Sequence, residues 1–186
     1  MTDLVSFLNK LAEGTLARAP KTGRAVHFGS DGAPYKPVML LVIFFRVLER
    51  HPKFLQSKLY FDDLEATFLK VYTELFPSSS HKVGESQAVQ AFWKLGAGSP
   101  KLVLFNSPFG AELELESEMK KSAGHQVKSK PKLARLVEFA HFGLGDWELV
   151  QNPINTEAIV SFLLASHFSD IDTHSRLRSR IERALS

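Results

Sequence analysis

Glu118-Met119-Lys120 has the Glu-x-Lys spacing of metal-dependent nucleases. On a strand, side chains two positions apart share a face, so the carboxylate could hold a metal ion while the lysine serves a nucleophilic water. The tripeptide is short enough to recur by chance, and no Pro-Asp pair precedes it at a persuasive place. The seven histidines are scattered, and no two stand at the i, i+4 spacing of a helical metal pair. His141 and His167 lie among apolar residues and read as satisfied core histidines. The chain has no GK[S/T] phosphate loop, no GxSxG turn and no ββα-metal arrangement. It also has no cysteine, which excludes disulfides and thiolate-ligated zinc. The expectation is a protein without catalytic residues, metal or cofactor of its own.

Anion chemistry is better represented. Tyr35 and Lys36 open a long apolar run, and a helix start already presents backbone N–H groups that favour an anion. Residues 18–33 lead directly into it and carry Arg18, Lys21, Arg24 and His27 against one acid, Asp31. Composition reads this stretch as a solvated connector, and its position makes it a candidate ligand contact. Residues 119–137 contain no acid but hold Lys120, Lys121, Lys128, Lys130, Lys132, Arg135 and His125. Such a run is either a solvated loop or a surface that tracks phosphates and releases their counterions. The net charge of +3 and pI of about 9.1 are modest, so the distribution carries the signal. Arg176, Arg178, Arg180 and Arg183 read as complements to the dipole of a last helix.

The elements that must position these residues centre on Pro34 to Arg50, PYKPVMLLVIFFRVLER. The run is too short and too closely flanked by charge to span a bilayer, which takes about 20 apolar residues. Apolar residues on every face predict a helix buried nearly all round, with Pro37 in its first turn and His51-Pro52 ending it. Ahead of it, Thr2 or Asp3 caps a helix that aligns Leu4, Leu8 and Leu11. The N-terminus has no apolar stretch of a signal peptide, so the expected location is the cytoplasm. After the central helix, Leu59 to Phe61 reads as a short strand. Asp62 or Asp63 then caps a helix burying Leu64, Phe68, Val71, Tyr72 and Leu75. The Gly-Ser-Pro turn between AVQAFWKL and KLVLFNS reads as a β-hairpin or wing, and the alternation of AELELE as a further strand. Helical signals resume over 132–141, 155–168 and 172–185. No internal repeat is evident. The fold class is α+β and mostly helical: a winged-helix-like core over 1–115 with a small β-hairpin, a basic loop over 116–131, and a helical C-terminal annex over 132–186. It is expected to form a single domain of 1–186.

PYKPVMLLVIFFRVLE resembles the [HY]KPLLLL helix start of the sulfur-binding domains of type IV, modification-dependent restriction enzymes. Those domains recognise DNA in which a non-bridging phosphate oxygen is replaced by sulfur. Three further pieces resemble the family in order: QAFWKL its YPFWxL segment, KLVLF its second hairpin strand, and FLLASHF its LL-x-x-[HY]-F helix. Together they cover most of residues 1–170. In the family the domain precedes an HNH nuclease domain. None follows here, so the resemblance implies a separate reader or an excised N-terminal domain, with the nuclease in the same full-length protein or in a partner.

The family site implied is a small apolar cup with a basic rim. Phosphate oxygen is strongly hydrated and repelled by an apolar wall, whereas sulfur is larger, softer and tolerated. The Tyr-Pro of the family segment corresponds to Gln90 and Ala91, followed by Phe92. Ala91 keeps the cup apolar and roomy, and Gln90 removes an aromatic wall. Either Tyr35 or another residue completes the cup, or the sulfur preference is altered. Phe92 also reads as plain core, and Trp93 would need a partner for its indole N–H if buried. The implied contacts are Arg18, Lys21, Arg24, His27, Lys36, Trp93, Lys94, Lys120, Lys121, Lys128 and Lys130 around Tyr35, Gln90, Ala91 and Phe92. The implied ligand is phosphorothioated double-stranded DNA, with no membrane and no cofactor. Rival readings are an ordinary winged-helix DNA binder using a recognition helix, a nuclease using Glu118 and Lys120, and a protein-interaction module.

Overall fold

The structure is a computed structural model. It describes residues 2–16, 35–76, 83–121, 127–167 and 171–186, with backbone alone for 16 and 171–174. Helix α1 (Leu4–Leu16) is capped as its sequence predicts, Asp3 Oδ1 accepting the Ser6 N–H at 2.9 Å. It turns Phe7 and Leu11 inward. Helix α2 (Tyr35–Leu48) is the central post, and every residue from Tyr35 to Phe45 is buried. A sequence apolar on all faces has no solvent side to offer, so α2 is enclosed by its neighbours, among them α3 (Phe61–Leu75), α4 (Glu85–Ala97) and α8 (Pro153–His167). Its exit bends through Arg50, at φ 51°, into a 3-10 turn at Pro52–Phe54.

Strand β1 (Lys58–Leu59) leads into α3, which buries the five residues its periodicity selects and Phe61 as well. The position before α3 is taken by Tyr60, not by Asp62 or Asp63. Both carboxylates instead sit in the first turn, where they suit the positive end of the dipole. Strand β2 (Leu104–Asn106), α5 (Glu112–Lys120), α6 (Lys130–Leu136), β3 (Phe139–His141), α7 (Leu144–Val150) and α9 (Ile171–Leu185) complete the described elements. The three strands form one antiparallel sheet in the order β1-β3-β2. His141 of β3 stands between Lys58 and Leu104, and Ala140 between Leu59 and Phe105. The chain is thus α+β and mostly helical. No helix among the described residues is long and apolar enough to cross a membrane.

Four expectations are corrected. AVQAFWKL is the body of α4 and not a strand. Ala88, Ala91, Phe92 and Leu95 recur at helical spacing and all four are buried, so the Gly-Ser-Pro turn joins a helix to β2 and not two hairpin strands. AELELE contributes to helix α5. On a strand Leu113 and Leu115 would share a face, yet Leu113 is 82% exposed and Leu115 is 7% exposed. Glu and Leu are good helix formers, and no neighbouring strand takes up the alternation. The helical signal over 132–141 ends at Leu136, and 139–141 is the middle strand of the sheet. The basic loop of 116–131 begins and ends in helix, since α5 runs to Lys120 and α6 starts at Lys130.

Phe105 of β2 fastens the sheet to α4. Its ring stacks on Phe92 (centroids 5.8 Å, 26°) and on Trp93 (5.4 Å, 21°). Gly96 leaves the space for it, because a Cβ there would lie 2.6 Å from ring atoms of Phe105. Gly96→Ala is therefore expected to destabilise the fold by about 1–3 kcal/mol through overpacking, although alanine is the better helix former by about 1 kcal/mol. The midpoint of urea unfolding checks this. An unchanged or raised midpoint would mean that the ring yields freely.

Candidate nucleic-acid interface

The first turn of α2 carries the most unusual charge in the molecule. Lys36 is 2% exposed, although it is a lysine. Its Nζ donates to the carbonyl of Gly14, near the end of α1, at 2.8 Å. No carboxylate among the described residues pairs with it. Burial, followed by the nearby charge of Lys94, pushes its pKa down to about 8. A Cβ on Gly98 would lie 3.2 Å from the Lys36 Nζ and 2.7 Å from the Lys94 carbonyl oxygen, so the turn after α4 closes tightly over this ammonium. Tyr35 beside it is buried, its ring 5.4 Å from that of Tyr72, which in turn contacts Phe76 at 4.8 Å. A charge so placed is stabilised by an anion held nearby.

The residues proposed as the cup divide sharply. Ala91 is fully buried and Phe92 nearly so, its ring edge-on to Phe61 at 5.5 Å as well as stacked on Phe105. Trp93 is buried against the same Phe105 ring. Gln90 is half-buried, its side-chain amide donating to Ser86 Oγ at 3.1 Å one turn earlier. Lys94 is half-buried next to Lys36 in charge if not in contact. The structure thus brings Tyr35, Lys36 and Lys94 into one neighbourhood, with Ala91 and Phe92 facing the core. Arg18, Lys21, Arg24 and His27 lie outside the described residues.

The basic run is met by acids from other segments. Lys120 pairs with Glu116 at 3.4 Å, and Lys121 with Glu118. Lys130 reaches Asp62 at 2.8 Å and Glu65 at 2.7 Å, and these hydrogen bonds raise its pKa above the usual lysine value, Asp62 contributing most. Lys132 pairs with Glu118 at 3.0 Å and Arg135 with Glu114 at 2.6 Å. Lys128 is exposed and has no ion pair among the described residues. The exposed pairs of Lys120 and Arg135 are worth about 0–1 kcal/mol each, so a phosphate could replace them at little cost, whereas the buried Glu118 holds Lys121 and Lys132 more firmly.

Glu118 and Lys120 do not form the arrangement a strand would have given them. They lie on helix α5, where i and i+2 point to different faces. Glu118 turns inward, 7% exposed, between Lys121 and Lys132, and Lys120 turns outward to Glu116. Among the described residues no group of three or more acids and histidines could hold a metal ion. His141 is satisfied, its Nδ1 lying 3.0 Å from the Phe142 carbonyl oxygen. His167 is not: its Nε2 is buried without a hydrogen-bond partner among the described residues, and burial lowers its pKa to about 4, keeping it neutral.

Two features escape a reading of the sequence. The pairing of the run with Asp62, Glu65 and Glu114 depends on tertiary contacts that no local pattern reports. The inward course of Lys36 left a signal, because a lysine in the first turn of a helix apolar on every face has little room to point elsewhere. Comparison with known proteins adds no relative: no family model matches the chain, and no curated protein matches it.

Proposed function

We propose that this chain binds double-stranded DNA, with a preference for a phosphorothioate in the backbone, and that it directs a nuclease carried by another domain or a partner. The observation that carries the DNA reading is the buried Lys36 ammonium. It sits at the start of α2, held by a single backbone carbonyl with no carboxylate partner among the described residues, and seven residues separate the basic 18–27 stretch from α2 in the chain. A winged-helix-like core supports it. The sequence order α2, β1, α3, α4, β2, β3 and the sheet order β1-β3-β2 support the reading of a winged-helix-like core, with α5 and α6 standing between β2 and β3. Fold alone does not give function, so the charge at α2 and the ordered motifs must bear the weight. The sulfur preference rests on the resemblance of PYKPVMLL, QAFWKL, KLVLF and FLLASHF to sulfur-binding domains.

Binding of paired duplexes, identical but for one phosphorothioate, tests both parts. The expected result is steep weakening with salt for both duplexes and tighter binding of the modified one by about 5- to 100-fold, on the scale of an uncompensated polar burial. Ala91→Asp is expected to abolish binding of both duplexes alike, because a carboxylate at this closed core position costs the fold itself. Equal binding of the two duplexes would favour the second reading, an ordinary winged-helix DNA binder. One observation supports that reading: Ala91 and Phe92 are closed into the core, leaving only Gln90 and Lys94 of the segment half-buried. No binding at low salt to either duplex would reject both.

A further inference from the structure

Helix α9 was expected only to have its dipole complemented, and its arginines do not behave alike. Its inner face buries Leu177, Ile181, Ala184 and Leu185, and the helix packs on α3 and α8. Arg178 is committed to structure. Its guanidinium makes two parallel hydrogen bonds to Glu157 of α8, both 2.8 Å, a third to Glu182 at 2.9 Å, and lies over the Phe45 ring at 5.7 Å. These bonds raise the Arg178 pKa and lower that of Glu157. Arg176, Arg180 and Arg183 instead line an open groove of about 400 Å³ together with Ser175 and Ser179, with no acid among the described residues of its lining. None of the three has an ion pair to a described residue. Only Arg183 lies in the last turn, so the helix dipole does not account for Arg176 and Arg180.

We infer that this face of α9 is a second contact for the phosphate backbone of duplex nucleic acid, outside the segments that resemble sulfur-binding domains. The inference rests on the DNA reading above and extends it to a separate surface. The spacing i, i+4, i+7 aligns the three guanidinium groups along one stripe about 10 Å long. That is the axial length of about three base pairs at 3.4 Å each. Two serine hydroxyls flank the stripe as neutral donors, as is usual at phosphate contacts. Arg178 fixes the mount, because its fork to Glu157 pins α9 to α8, so the stripe is presented already ordered. An acidic protein surface could also meet three arginines. The narrow single row and the flanking hydroxyls favour the regular phosphates of a duplex.

The test is the salt dependence of binding of the full chain to an unmodified duplex of about 20 base pairs, comparing wild type with R176Q/R180Q/R183Q. Thermal melting of the variant confirms that it folds, since the three side chains have no described partners to lose. The expected result is a slope of log K against log salt shallower by about 2 to 3, and affinity at 100 mM salt at least about 10-fold weaker. Wild-type binding with an unchanged slope and affinity in the variant overturns the second contact while leaving the DNA reading intact. Failure of the wild type to bind any duplex at low salt overturns both. A K128Q variant serves as the reference for loss of one exposed cation, expected to change the slope by about 1 if that residue also meets a phosphate.

Discussion

Lys36→Met is expected to make the protein more stable and worse at binding DNA. The wild-type ammonium is buried with a pKa pushed down from 10.5 to about 8, which corresponds to a penalty of about 3 kcal/mol at neutral pH. Methionine fills a similar volume without charge, while leaving the Gly14 carbonyl without its donor takes back about 1 kcal/mol. The net expectation is a gain of about 2 kcal/mol at pH 7. The pH dependence is a second signature. Below about pH 8 both folded and unfolded chains hold the proton, and the penalty is constant. Between about 8 and 10.5 the unfolded chain holds it and the folded chain has released it, so wild-type stability rises with pH. The advantage of the variant should therefore shrink over that window. Urea unfolding of both proteins at pH 7, 9 and 10.5 measures it. A variant less stable than wild type at pH 7 would show that the lysine is stabilising where it lies, and an advantage that does not change with pH would show that the buried charge is not its source. In binding, loss of this cation should weaken modified and unmodified duplexes by a similar factor, because it reads charge and not sulfur.

Phe44→Ala is the largest expected loss. Phe44 is fully buried in α2, edge-on to Phe7 of α1 (centroids 6.4 Å, 81°) and stacked on Phe142 (5.8 Å, 24°). Phe142 follows β3 directly and also stacks on Trp147 of α7 at 6.4 Å. One ring thus joins α1, α2, the exit of β3 and α7. Truncation should cost about 3–5 kcal/mol, a large share of the 5–15 kcal/mol typical of a domain. Phe44→Leu, which keeps most of the volume, should cost less than half as much. Denaturant midpoints of the two variants give the comparison. If both lose the same amount, ring stacking and not cavity volume sets the stability here.

The helices were legible where one face alone is buried. α3 shows its periodicity openly, and the all-apolar α2 declares its burial by lacking a polar side. The sheet was less so. Strands of two or three residues carry too little alternation to be seen, and the middle strand, Phe139–His141, continued what looked like a helix begun at Lys132. AELELE had the alternation of a strand without being one, because helix or strand is decided there by which neighbours exist and not by the residues themselves. At the site, the chemistry of Lys36 was legible as charge but not as burial. The acid-free run of 119–137 concealed partners standing far away at Asp62, Glu65 and Glu114. The arginines of α9 looked equivalent in sequence. The contacts of Arg178 with Glu157 and Phe45, both on other helices, separate it from the other three.

The sheet order also constrains how the chain reaches its native state. β3 lies between β1 and β2, yet it is the last of the three to leave a ribosome. Until residues 139–141 arrive, residues 58–59 and 104–106 have no strand between them, and their backbone groups must bond to water. Pairing residue 58 with residue 141 closes a long loop, whose entropy is lost before the short ladder returns anything. Strands this brief cannot nucleate across such a separation. The helices around α2 must collapse first and carry β1 and β2 to within reach, leaving a slot that β3 fills. The sheet then acts as a latch closed at the end of folding, and the fold needs its C-terminal third to complete a core begun by its N-terminal half.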